Sequence, residues 1–415
     1  MNVVFLAGAY YPNFEAVGYC AYQVHKCLSA THDLTVIAVR NDAAQPWTED
    51  VEGIRIRRVE TVMQRWRNSL KYQTRWYEHM LLQGIRIWGA TRRLLAPTTV
   101  DWSLVRAYVR QLQALETRPQ VIVPLVFPFE AALAALAFKR KNPATRVMPY
   151  VFDDFVGSDS LHTSRWAGMI KRSSHLRLER ELLEGSQHVI AMRPLRRHFE
   201  LYYSADLTGK VIYLEHPLLN EILAQECPNA QDHIQLCFTG SLIRNVREPD
   251  YLLRLLGAIQ TSRPVIANFY VMGNAAGKVV TKSARTAVSI VNHGRVSKRA
   301  ADDAVASADI LLNLGETTGR QISSKIFEYI SAGKPIVHLA FADCDSNIGI
   351  LEKYPLALCL KAEEKSFIEN AKKLSEFIGL NYNNRVRWPE VSSIYPEALP
   401  VNTAAVFERL IQAIR

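Results

Sequence analysis

The residues best suited to chemistry stand in one run, Ser323-Ser324-Lys325-Ile326-Phe327-Glu328-Tyr329, closed by Gly333-Lys334-Pro335 and followed by the apolar Ile336-Val337-His338-Leu339-Ala340. Serine is a preferred N-cap, Gly333 suits a left-handed C-terminal cap and Pro335 cannot continue a helix. The run therefore predicts a helix of roughly three turns from Ser324, leading into a buried strand. The unpaired N–H groups and the dipole at such a helix start attract anions, and Lys325 adds a charge at the same point. Glu328 lies four residues beyond Ser324, on the same face and near that end. A capping box from Ser324 would need its acid where Phe327 stands, so Glu328 either meets a ligand or is a solvated helix carboxylate.

Further candidates lie on other segments. Arg244 and Arg247 follow Gly240 by four and seven residues. Their guanidinium groups suit bidentate phosphate contact, the alternative being solvated loop arginines. Asp153 and Asp154 end an apolar strand, where ligand-facing residues of open α/β sheets collect, or else they cap the next segment. Asp343-Cys344-Asp345 spells a metal-binding DxD but is read as a surface loop, and no metal is expected. His25, His216 and His293 have no metal-ligand spacing, and no nucleophilic triad signature is present.

The elements that must position these residues alternate between strand and helix. Strands are expected at 3–7, 34–39, 121–126, 147–152, 189–192 and 211–214, with a helix through Ala21, Val24 and Leu28 after the first. A polar, proline-containing stretch from His216-Pro217 to about Asp232 reads as a linker. A second alternating series follows, with strands at 234–238, 265–272, 288–291 and 310–314 and a last helix carrying Val406, Leu410, Ile411 and Ile414. The expected fold class is α/β: two doubly wound Rossmann-like domains facing each other across a cleft. They span 1–217 and 218–395, with a C-terminal helix in 396–415. There is no GxGxxG, although Gly8 and Gly18 would let backbone approach a ligand.

A chain of 415 residues with 48% hydrophobic and 22% charged residues is long enough for two cores and excludes a disordered protein. The net charge of +10 implies affinity for polyanions: anionic lipid, nucleic acid or phosphorylated substrates. Six cysteines without a CxxC pair fit a reducing compartment, and the chain is read as cytoplasmic. The apolar start lacks a basic n-region, so it is read as a buried strand, and no transmembrane span is expected. Between Arg65 and Arg110 stand nine basic residues, two acids and four of the seven tryptophans. On a helical projection Leu70, Tyr77, Met80, Leu81, Trp88 and Leu95 share one face, and Lys71, Arg75, Arg86 and Arg93 the other. This insertion, about 62–112, reads as an amphipathic basic helix lying on an anionic membrane, or as a helix whose apolar face is core. Stacking on nucleic acid is a third reading, and no nucleic-acid partner is expected.

Taken together, Gly294-Arg295-Val296, the segment Ala306-Ser307-Ala308-Asp309-Ile310-Leu311-Leu312-Asn313 and the run from Ser323 to Pro335 resemble the GT-B nucleotide-sugar glycosyltransferases, family 4-like, over nearly the whole length. Tyr11-Pro12 with Gly18, Phe152-Asp153-Asp154, Glu215-His216-Pro217 and Phe238-Thr239-Gly240-Ser241 add to it. The resemblance implies transfer of a sugar, with retention, from a nucleoside diphosphate sugar to a hydroxyl of a glycan or lipid-linked glycan in cell-surface polysaccharide synthesis. The protein is expected to be cytoplasmic or peripheral on the inner face of the plasma membrane, with no cofactor besides the nucleoside diphosphate sugar as co-substrate. It implies a donor site of Gly18, Gly240, Arg244, Arg247, Gly294, Val296, Gln321, Ser323, Ser324, Lys325 and Glu328, with the base near Gly294 and the ribose on Glu328. Asp153, Asp154 and Arg244 are the implied catalytic residues. The family's acid eight positions before Glu328 is replaced by Arg320, so Gln321 or Glu316 would meet the sugar instead. A nucleotide-sugar epimerase on the same scaffold and a non-catalytic nucleotide-sugar binder are the competing readings.

Overall fold

The computed structural model describes residues 1–413 apart from 71–76, 78–79, 82, 86, 88, 90, 92–95, 158–164, 223–231, 282–287, 318 and 320–321. The chain forms two compact units, Met1–Pro217 with Pro400–Arg415, and Leu218–Leu399.

The first unit is built on β1 (Asn2–Ala7), β2 (Asp33–Val39), β3 (Thr48–Val51), β4 (Ile54–Val59), β5 (Val121–Val126), β6 (Arg146–Val147), β7 (Tyr150–Val151), β8 (Val189–Met192) and β9 (Val211–Leu214). They run in the order β3-β4-β2-β1-β5-β7-β8-β9, with β6 also on β5. All neighbours are parallel except β3 on β4. Strands buried on both faces read as continuous apolar runs, and Val121–Val126 is buried throughout. The strand expected over 147–152 is instead two short pieces, because Pro149 between them has no N–H for the ladder. α1 (Ala16–Leu28) follows β1, and its Gly18 is set by packing: a Cβ there would lie 2.1 Å from the Ala9 carbonyl oxygen.

Of the amphipathic helix expected in the basic insertion, residues 71–76, 78–79, 82, 86, 88, 90 and 92–95 lie outside the described residues, while 77, 80–81, 83–85, 87, 89 and 91 are helical. α2 (Val62–Leu70) is separate from α3 (Trp102–Gln113), which is capped by Asp101 accepting the Ser103 N–H at 3.0 Å. α3 buries Leu104, Val105, Tyr108 and Leu112, and the Tyr108 hydroxyl donates to the Ala7 carbonyl at 2.5 Å. Its arginines therefore ride on a core helix, although its first residue, Trp102, is exposed. α4 (Phe129–Lys141) and α5 (Arg165–Gly185) follow, and a short helix over Arg196–Tyr202 carries His198.

The second unit is a parallel sheet of β10 (Ile234–Ser241), β11 (Val265–Met272), β12 (Val288–Asn292), β13 (Ile310–Leu314), β14 (Ile336–Ala340) and β15 (Ala357–Lys361), in the order β12-β11-β10-β13-β14-β15. Its core joins Leu236, Phe238, Phe269 and Ile310 to Leu255 of α6 (Asp250–Ala258). After α7 (Lys298–Ser307) and β13 comes α8 (Ser324–Ser331). α8 has eight residues, shorter than the three turns expected, and ends through Ala332 into Gly333 at φ +66°. α9 (Phe367–Asn381) buries Leu374 and Ile378 against the same core. The helix expected in 396–415 is α10 (Pro400–Gln412), which packs in the first unit, with Phe407 6.0 Å from Phe5 between ring centroids.

Lys334, buried directly after Gly333, caps the end of α7: its Nζ donates to the carbonyls of Val305 at 2.9 Å, Ala308 at 2.5 Å and Ala306. Lys334→Met keeps the stem and strands those carbonyls, so it should lower stability by about 2–4 kcal/mol, read as a shift in the urea midpoint. An unchanged midpoint would show that water replaces the ammonium.

Candidate functional site

In the second sheet β10 is flanked by β11 on one side and β13 on the other, so the chain reverses its winding between β10 and β13. At such a switch point the loops leaving the strands' carboxyl ends part and leave a crevice. Three loops from this end are tied together. The Thr317 N–H donates to the Val246 carbonyl at 2.9 Å, its hydroxyl to the Asn245 carbonyl at 3.0 Å, and the Ser346 N–H to the Gly319 carbonyl at 2.9 Å.

Gly240 is the penultimate residue of β10, and the loop after it carries both arginines. Arg247 donates to Glu316 Oε1 at 3.0 Å in a mostly buried ion pair, while its Nε is buried without a hydrogen-bond partner. Arg244 is exposed; its backbone N–H donates to Asn274 Oδ1 at 2.8 Å, and its guanidinium has no ion pair among the described residues. Glu316, expected to substitute at the sugar, is thus bound to Arg247. Gln321 lies outside the described residues.

α8 starts at the crevice. Ile326, Phe327, Tyr329 and Ile330 are buried, and the Tyr329 hydroxyl bonds the Thr239 N–H at 3.1 Å, locking the helix to the end of β10. Ser323 occupies the N-cap position, but its side chain makes no capping bond; its N–H donates to Asn347 Oδ1 at 2.8 Å. The next two amides, of Ser324 and Lys325, have no partner within the helix. Glu328 is not a lone solvated carboxylate: Oε2 accepts from Lys325 Nζ at 2.6 Å and from Lys298 Nζ at 3.2 Å. Burial opposes the Lys298 charge, but Glu328 and Asp302 outweigh it and hold its pKa above the ordinary lysine value. Lys298 begins α7, right after the loop of Gly294 and half-buried Val296. Gly294 sits at φ +65°, which favours glycine, and its N–H donates to Asn292 Oδ1 at 2.8 Å. The Lys298–Glu328 contact thereby joins the Gly294 loop to α8, a pairing across 30 residues that no local motif announces.

The Asp343-Cys344-Asp345 segment is only partly a surface loop. Asp343 is exposed and pairs with Lys361, but the Asp345 side chain is fully buried against His338. Burial raises the Asp345 pKa; the bonds from His338 and Asn347 outweigh that and hold it below the usual carboxylate value.

In the first unit the loops after β1 and β5, again a switch point, pack so closely that a Cβ on Gly8 would lie 2.8 Å from Pro128 Cδ. Asp153 and Asp154 follow β7, and the structure gives them different surroundings. Asp154 is anchored: Oδ1 accepts the Gly157 N–H at 2.8 Å and Oδ2 lies 3.5 Å from His198 Nδ1. His198 Nε2 reaches Glu179 Oε2 at 2.7 Å, which also accepts from the Tyr203 hydroxyl at 2.5 Å. The three ligand atoms of Asp154, Glu179 and His198 lie within 4.8 Å of one another. The imidazole, however, spends opposite nitrogens on the two carboxylates, an arrangement that fits a bridging imidazolium better than one shared ion. Burial opposes that charge; Glu179 and Asp154 outweigh it and raise the His198 pKa. Asp153 is reached by solvent yet hemmed in by protein atoms. This desolvation, with His216 opposing and Asp154 adding, holds its carboxyl above the usual range.

No protein-family model matches the chain, and no curated protein is similar to it in sequence. Among solved structures it is similar to sucrose-phosphate synthase from Thermosynechococcus elongatus, with TM-score 0.59, 10% identity and 100% of each chain covered. It is also similar to a trehalose-6-phosphate structure from E. coli bound with UDP-2-fluoro glucose, with TM-score 0.60, 11% identity, and 99% of this chain and 98% of that one covered. A third is a trehalose-6-phosphate synthase analysed with bisubstrate glycomimetics for glycosyl transfer with retention, with TM-score 0.61, 11% identity and 100% of each chain covered. Identities this low speak to fold alone: the chain has two Rossmann-like α/β domains of the GT-B type.

Because the folded Asp153 carboxyl titrates above its unfolded value, near 3.8, the stability that this group contributes is fully present below that pH and is lost as pH rises through the folded pKa. Asp153→Asn should therefore raise the thermal midpoint at pH 7 and leave it unchanged near pH 3. Equal midpoints at both pH values would show an ordinary carboxylate.

Proposed function

We propose that this protein is a retaining glycosyltransferase that moves a sugar from a nucleoside diphosphate sugar to a hydroxyl of a glycan or lipid-linked glycan in cell-surface polysaccharide synthesis, while resting on an anionic membrane surface. The observation that carries this reading is the open first turn of α8 at the β10/β13 switch point, with Lys325 and Glu328 on the helix and Arg247 and Arg244 on the adjoining loop. The similar structures support it, one of them being bound with UDP-2-fluoro glucose.

In this reading the diphosphate meets the amides of Ser324 and Lys325 and the cations around them, and the base lies by Gly294 and Val296. Both lysines act on Oε2 of Glu328, so Oε1 is the oxygen offered to a ribose hydroxyl. As the anomeric C–O bond breaks, charge builds on the leaving phosphate. Donors already fixed in place stabilise it without reorganising, a contribution of about 3–4 kcal/mol per well-placed donor in comparable sites. With retention, the leaving phosphate oxygen takes the proton of the acceptor hydroxyl, and no separate protein base is needed. Asp153, exposed and not anchored as Asp154 is, is the better placed of the two to touch the acceptor.

The membrane reading rests on the first part of the basic window. Val62, Trp66, Met80, Leu81 and Ile87 are 70, 56, 64, 51 and 64% exposed, which is opposite to the core alternative, and Arg65 and Arg67 stand exposed among them. Tryptophan and long apolar side chains beside arginine suit the headgroup boundary of anionic lipid. No helix among the described residues is long and apolar enough to cross a membrane.

Calorimetric titration with UDP, GDP, ADP and dTDP should find one that binds, with affinity about tenfold weaker in Glu328→Ala, equivalent to about 1.4 kcal/mol. Binding of none would overturn the donor assignment. The variant Trp66→Ser/Met80→Ser/Leu81→Ser should lose flotation with phosphatidylglycerol vesicles by at least about tenfold while keeping its thermal midpoint. Undiminished flotation would remove the membrane from the reading.

A further inference from the structure

The start of α8 is held by a buried polar chain that the donor motifs do not include. Asn313 on β13 and His338 on β14 are register partners in the parallel sheet, and Asn313 Nδ2 lies 2.8 Å from His338 Nδ1. His338 Nε2 lies 3.2 Å from Asp345 Oδ2. Asp345 Oδ1 in turn accepts the backbone N–H of Asn347 at 2.9 Å and its side-chain Nδ2 at 2.6 Å. Asn347 Oδ1 then accepts the Ser323 N–H at 2.8 Å. All four side chains are buried, at 5, 0, 5 and 1% exposure for Asn313, His338, Asp345 and Asn347. Asp345 also seats on Gly315, where a Cβ would come within 2.1 Å of Oδ2.

Every hydrogen-bonding step is directional. With Asn313 Nδ2 donating to Nδ1, His338 carries its proton on Nε2 and gives it to Asp345; Asp345 accepts twice from Asn347, which leaves Asn347 Oδ1 aimed at one amide. A fully satisfied buried network of this kind fixes a single geometry, because any other register strands a polar group away from water.

We propose that Asn313, His338, Asp345 and Asn347 form a positioning chain that sets which amides of α8 receive the diphosphate. This rests on the donor reading above. By occupying the Ser323 N–H, Asn347 takes that donor out of play and fixes the direction of the first turn, so that the amides of Ser324 and Lys325 are the ones presented. The chain runs from the middle of the sheet to the anion site, so the site inherits the rigidity of β13 and β14 and does not depend on capping by its own serine, which makes no side-chain cap. Asn347 is a positioning residue, acting through Ser323 and touching no substrate.

The test compares wild type, Asn347→Ala and the isosteric Asp345→Asn for the nucleoside diphosphate that the wild type binds among UDP, GDP, ADP and dTDP, and for the matching nucleoside, by ligand-observed NMR with thermal midpoints alongside. Diphosphate affinity should fall about tenfold in Asn347→Ala and in the same direction by less in Asp345→Asn, while nucleoside affinity changes by less than about twofold. Should Asn347→Ala not fold, Asp345→Asn alone decides. Unchanged diphosphate affinity, or an equal fall for the nucleoside, overturns the positioning role and leaves the donor reading standing. A wild-type protein that binds none of the four diphosphates overturns both.

Discussion

The second unit depends on one constraint: α8 must bury its apolar side while its first turn stays open at the carboxyl edge of the sheet. Burial of Ile326, Phe327, Tyr329 and Ile330 fixes where the helix lies, and full burial of such side chains is worth about 1.5–3 kcal/mol each. Hydrophobic contact is non-directional, however, and does not choose how a helix end points. Direction comes from polar contacts at both ends. At the far end Gly333 turns the chain at φ +66°, which brings Lys334 onto the carbonyls that close α7; at the near end Asn347 takes the Ser323 amide. Tyr329 to Thr239 adds a third anchor at the end of β10. The same short segment thus ends one helix, starts another and shapes the crevice.

What could be read from the sequence follows from which forces are local. Central strands such as Val121–Val126 and Ile310–Leu314 are buried on both faces and stand out as apolar runs. β4 does not, because Ile54–Val59 carries Arg55, Arg57 and Arg58. Arg58 is nonetheless 1% exposed, its guanidinium held by the Tyr11 and Pro46 carbonyls and by Glu49. No periodicity rule anticipates a buried arginine satisfied by three remote acceptors. In the basic insertion, Asp101 caps α3, so Arg106 and Arg110 belong to a helix separate from the projected residues, with Leu104, Val105, Tyr108 and Leu112 in the core.

The candidate site divides in the same way. Gly333, the serines and Glu328 carry local signatures of helix ends. Lys298, 30 residues before Glu328, and the chain from Asn313 to Asn347 carry none, because each bond in them is made by the fold. The paired aspartates are a third case. Asp153 and Asp154 are adjacent and chemically identical, and only the placement of His198 and of Gly157 decides that Asp154 is tied down while Asp153 stays accessible.

The charges at the β10/β13 crevice are arranged as pairs before any ligand arrives. Arg247 rests on Glu316, and Lys325 and Lys298 share one oxygen of Glu328. Carboxylates next to the cations weaken the net attraction for an anion, yet they hold long side chains in single rotamers whose freedom costs about 1.5–2 kcal/mol each to remove. Fixed donors stabilise charge that develops during a reaction better than mobile ones, because nothing has to reorient while the bond breaks. The crevice trades ground-state attraction for that fixity. Arg244, without such a partner among the described residues, and the buried Nε of Arg247 are the uncompensated part of this arrangement.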